Sequence, residues 1–86
     1  MALTPEIREK IDAWLEGGVD RSPAELARRA GVPYSTARRT LQGESTPTYN
    51  NLASILSVAV ENIEVIPLLK LQFPEMTPLI DSVLSF

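Results

Sequence analysis

Three times in its first fifty residues the chain sets a Ser or Thr directly before a proline, at Thr4-Pro5, Ser22-Pro23 and Thr46-Pro47. Such hydroxyls cap the unpaired N–H groups of a helix's first turn, and proline suits the first helical position, where its missing N–H is not needed. The four glycines stand at positions 17, 18, 31 and 43, each closing a short apolar pattern. Glycine ends a helix by taking backbone angles that other residues resist. This punctuation predicts a series of short helices with links of about three to six residues, the lengths of compact helical domains.

Between these marks, apolar residues recur at helical spacing. Ile7, Ile11, Trp14 and Leu15 predict a first helix from Pro5 to the Gly17-Gly18 break, with Trp14 as its largest core anchor. The S-x-x-E capping box at Ser22-Pro23-Ala24-Glu25 opens a second helix of about eight residues, with Leu26, Ala27 and Ala30 inward and Gly31 as its stop. A third segment runs from Pro33 to Gly43, with Ala37, Thr40 and Leu41 on one face and Ser35, Arg38, Arg39 and Gln42 opposite. Thr46-Pro47 opens a fourth helix, over about 48–59, carrying Leu52, Ile55, Leu56 and Ala59.

Past Val60, Pro67 forbids one unbroken helix across Ile63, Val65 and Ile66, and a strand over 62–66 stands as an alternative. Residues 67–73 and 78–86 read as short apolar helices, the second capped by Thr77. The expected fold is all-α with four to six helices. Residues 1–60 form its main unit, and 61–86 complete the core and mediate self-association.

Several function classes fit poorly. At 86 residues only roughly 60–65 % of the unfolded chain's surface is buried on folding, enough for one core and not for a deep cleft. The chain has no His and no Cys, so the commonest general base, the commonest metal ligands and any disulfide are missing. Its carboxylates form no paired-acid signature, and no glycine-rich phosphate loop is present. No enzyme, cofactor, metal or small-molecule ligand is expected. No apolar run approaches the ~20 residues of a membrane span, and the N-terminus lacks a signal peptide's pattern, so a cytoplasmic location is expected.

Charge is uneven. Residues 21–46 hold Arg21, Arg28, Arg29, Arg38 and Arg39 against Glu25 and Glu44, a local balance of +3, while the flanks carry −3 each. Screening confines each charge to about 8–10 Å, so this patch can still attract phosphate on an acidic protein. Its cations are all Arg, which forks onto phosphate and guanine better than Lys. The Ser35-Arg38-Arg39-Gln42 edge also has the right chemistry for a major groove about 12 Å wide: Arg pairs with guanine, Gln with adenine, and Ser with donors or acceptors.

At these residues a resemblance emerges. Residues 24–43, AELARRAGVPYSTARRTLQG, resemble the helix-turn-helix of the lambda-repressor-like family, which holds phage repressors, Cro-type proteins and many antitoxins. The matching features are Ala27, Gly31 four residues on, Val32, the small Ala37, the closing Gly43 and the Pro47-led segment TPTYNNLASIL. The resemblance covers about residues 22–59, with the first helix also fitting. It implies base-edge contacts from Tyr34, Ser35, Arg38, Arg39 and Gln42. It implies phosphate contacts near the starts of the second and fourth helices, from Ser22, Thr46, Thr48, Tyr49 and Asn51, with Arg28 adding attraction. Three departures stand out: Pro23 replaces a frequent Gln, Pro33 a frequent Ser or Thr cap, and Thr40 a larger aliphatic residue. Blander placements exist for several of these residues. The Tyr34 ring can pack on its own domain, Asn50 and Asn51 can be polar surface, and Arg28 and Arg29 can be merely solvated.

One such module spans too few base pairs for useful specificity, which implies action in pairs. The apolar tail supplies candidates for a two-fold interface in Leu69, Phe73, Met76, Leu79, Ile80, Val83 and Leu84. The expected function is a homodimeric, sequence-specific repressor of a palindromic operator on double-stranded DNA. The alternative is a protein-binding helical adaptor, such as an antitoxin that masks a partner.

Overall fold

The computed structural model describes residues 3–44 and 47–79, and their regular structure is all helical. Helices α1 (Pro5–Glu16), α2 (Pro23–Ala30), α3 (Tyr34–Gln42), α4 (Tyr49–Ala59) and α5 (Asn62–Gln72) precede a 3-10 turn at Pro74–Met76. No helix among the described residues is long and apolar enough to cross a membrane.

Each helix gives its apolar stripe to one core. Ile7, Ile11 and Trp14 come from α1, Leu26 from α2, Leu41 from α3, Leu52, Ile55 and Leu56 from α4, and Leu68 and Leu69 from α5. Full burial of one such side chain contributes roughly 1.5–3 kcal/mol, so a handful of them outweighs any surface pair. Helix α2 packs on both α3 and α4, and α4 packs on α1 and α5. Lys10 Nζ pairs with Glu64 Oε1 at 3.2 Å, and the Thr4 N–H donates to Gln72 Oε1 at 3.0 Å, both tying α1 to α5.

The turns around α3 are set by two glycines. Gly31 and Gly43 both sit at φ 73°, a left-handed conformation that costs an L side chain about 1–2 kcal/mol. At the first, the N–H groups of Gly31 and Val32 donate to the carbonyls of Arg28 and Ala27. At the second, Gly43 and Glu44 donate likewise to Thr40 and Arg39. These are paired closures that use up a helix's last free carbonyls. Gly17 works differently: it keeps right-handed angles, and the Arg21 guanidinium occupies the space where a side chain would begin.

Several expectations are corrected. The Ser22 capping box is half formed: Ser22 Oγ accepts from the Glu25 N–H at 3.2 Å, but the Glu25 carboxylate turns forward to Arg28 and Arg29. Helix α4 is capped not by Thr46 but by Thr48, whose Oγ1 accepts from the Asn51 N–H at 3.2 Å. Pro47 lies one step outside the helix and is buried, as is Leu52, the arrangement of a hydrophobic staple. Thr46 lies outside the described residues.

The largest correction is α5, which runs unbroken through Pro67 and leaves no strand over 62–66. A proline inside a helix forfeits one hydrogen bond, here to the Ile63 carbonyl, and crowds that turn. Pro67 and Ile63 are both exposed, so water can serve the freed carbonyl, while Leu68 and Leu69 bury on the opposite side. Packing outweighs the local defect. Thr77 is no cap, having helical angles itself (φ −54°, ψ −46°) at the start of a helical stretch over 77–79.

Candidate nucleic-acid interface

Helix α3 presents the edge anticipated from its sequence. Ala37, Thr40 and Leu41 are buried, whereas Ser35, Arg39 and Gln42 are exposed and Arg38 is half-buried. Tyr34 is 52 % exposed, so its ring is not packed into the domain. The small Ala27 and Ala37 are both buried where α2 and α3 pack together. At the start of α3, Pro33 offers only its carbonyl, which accepts from the Thr36 and Ala37 N–H groups at 3.1 and 3.2 Å. Along the edge, Arg38 Nη1 donates to Gln42 Oε1 at 3.2 Å, one helical turn on. Arg39 forms no ion pair or side-chain hydrogen bond among the described residues.

The other three arginines of the basic segment are engaged within the chain. Arg28 donates through both Nε and Nη2 to Glu25, and Arg29 Nε reaches the same carboxylate at 2.8 Å. Arg29 also meets Asp20 at 3.3 Å and stacks over the Trp14 ring, 5.5 Å from its centroid. Arg21 covers the same ring at 4.9 Å and donates to the Trp14 carbonyl at 3.1 Å. Hydrogen bonds from Arg28, then Arg29, hold the Glu25 carboxyl down at about 2, and Glu25 in turn raises Arg28 above the usual arginine value. Arg28 stays charged and exposed while paired with Glu25, an ion pair of the weak surface kind, so a phosphate can still compete for it. Arg38 and Arg39 form no ion pair among the described residues.

The remaining expected contacts fall into three groups. Ser22 and Thr48 are exposed helix caps whose oxygens accept from backbone N–H groups. A hydroxyl in that role keeps its proton, so each can still donate to an anion. Tyr49 is partly buried, its ring 5.9 Å from that of Phe73 and tilted by 53°, while Asn51 is half-buried and Asn50 exposed. In the tail, Leu69 is 1 % exposed within its own core and leaves the list of interface candidates. Leu79 is exposed at 61 %, Phe73 and Met76 are half-buried, and Ile80, Val83 and Leu84 lie outside the described residues.

Sequence reasoning missed the Glu25 clamp and the Arg38–Gln42 pair. The signal for both was spacing, since side chains three and four apart on a helix meet. The hold of Arg21 and Arg29 on Trp14 joins α2 and the link before it to α1, and no local pattern announces it. Among the described residues no group of acidic, His or Cys side chains could hold a metal ion. Compared with protein-family models, with curated proteins and with solved structures, the chain finds no match.

Proposed function

We propose that the protein is a sequence-specific DNA-binding transcriptional regulator of the lambda-repressor-like kind, a homodimeric repressor of a palindromic operator. The observation that carries this is the outward edge of α3, where Ser35, Arg38, Arg39 and Gln42 stand clear of a core that takes Ala37, Thr40 and Leu41. A single helix fits the major groove, and these side chains supply the donors that base edges require. Helix α2 would cross the backbone, with the Ser22 and Thr48 hydroxyls and nearby N–H groups on phosphate. Binding to random duplex DNA across a salt series tests it. About six phosphate contacts give a log–log slope near −5, and a flat line would remove DNA from the proposal.

The exposed Ile63, Leu71 and Leu79 also favour a second reading, a helical adaptor that covers a partner protein with its apolar tail. Operator-type DNA and a protein partner separate by the same salt series, because only the first releases a stack of condensed counterions.

A further inference from the structure

Gln42 can pair with adenine only by using both ends of its amide, accepting from the adenine N6 amino group on Oε1 while donating from Nε2 to N7. Here Oε1 already accepts from Arg38 Nη1 at 3.2 Å. The bond is charge-assisted and links residues four apart on one helix face, so each side chain restricts the other. The pair leaves outward the Nε2 hydrogens of Gln42, the unused guanidinium hydrogens of Arg38 and a single lone pair on Gln42 Oε1, so donors dominate. Arg39, exposed beside them, adds only donors.

Resting on the DNA-binding proposal above, we infer that Gln42 is a positioning residue. It orients Arg38 and, with Arg39 beside it, makes this end of α3 a donor-rich surface that favours guanine over adenine on the strand it faces. Among the major-groove edges guanine alone offers two adjacent acceptors, O6 and N7. Cytosine and adenine each present an amino group, for which this end of the helix keeps only the second lone pair of Gln42 Oε1. Ser35, a turn before Arg38, can likewise donate or accept.

Selecting duplexes from a random pool with the wild type, Gln42→Ala and Arg38→Ala tests the inference, with helix content by circular dichroism as the folding control. The wild type should enrich a guanine at a fixed position of each half-site. Arg38→Ala should abolish that preference, and Gln42→Ala should weaken it at the same base pair by about tenfold, near the lower end of the worth of one charge-assisted bond. A role for Gln42 in stability alone would lower affinity without moving base preference, and that result overturns the inference. So does a wild-type site that carries an adenine lost in Gln42→Ala. Enrichment of no duplex at all would overturn the DNA-binding proposal, and this inference with it. Adenine at the Gln42 step overturns the inference alone.

Discussion

Thr40 Oγ1 is buried on the inner face of α3 and meets no hydrogen-bond partner among the described residues. A hydroxyl in that position has given up its water and received nothing in exchange, which costs about 1–3 kcal/mol. Valine has nearly the same shape and similar helix propensity, so Thr40→Val should stabilise the protein by about 1 kcal/mol. A urea midpoint that falls would show that the hydroxyl has a partner after all. Glu25 makes the opposite case, a polar group with more partners than expected. Its folded value of about 2 lies below the ordinary 4.5, so its contribution is complete above about 4.5 and fades as pH falls towards 2. Glu25→Gln should therefore lower the melting temperature at pH 7 and make no difference near pH 2. Parallel melting curves for the two proteins across that range would contradict the clamp.

At the scale of elements, the helix boundaries were legible from proline and glycine spacing, although the Thr4 hydroxyl, expected to cap α1, forms no cap bond and is buried without a partner among the described residues. Gly31 shows how local that information is: an added Cβ would meet nothing within 4 Å, yet φ 73° alone makes Gly31→Ala cost about 1 kcal/mol. An unchanged denaturation midpoint for that variant would mean that the turn tolerates another conformation. The outward edge of α3 was legible for the same reason, since Ala37, Thr40 and Leu41 mark the inner face by spacing alone. Helix α5 was not legible. A local rule reads Pro67 as a break, but the outcome depends on where α4 and α1 receive Leu68 and Leu69. The defect persists and should be measurable. Pro67→Ala restores a backbone donor at an exposed site and should stabilise by about 2 kcal/mol, being the interior-proline penalty less the entropy proline removes from the unfolded chain. Loss of stability would show that the ring itself is packed.

At the scale of the whole molecule, charge and apolar surface lie on different elements. The exposed Arg39 and the half-buried Arg38 are on α3, while Ile63 and Leu71, 79 % and 50 % exposed, lie two turns apart on the outer side of α5 with Pro67 between them. Apolar residues recur around much of α5, and among the described residues the core takes the side with Val65, Ile66, Leu68 and Leu69 while Ile63 and Leu71 stay exposed. Pairing of two copies through this outer stripe, in place of the buried Leu69, would leave both α3 edges free for DNA. The double variant Ile63→Glu with Leu71→Glu places charge on that stripe without touching the core. It should sediment as a monomer at concentrations where the wild type is dimeric, with unchanged helix content. Its affinity for a two-half-site operator should fall about a hundredfold or more, because the second half-site is no longer engaged from a tethered neighbour. Its affinity for a single half-site should hold, since α3 is untouched. A variant that remains dimeric moves the interface elsewhere. A wild type that stays monomeric while binding a palindrome tightly would leave one helix to supply all the specificity, against the few base pairs it can span.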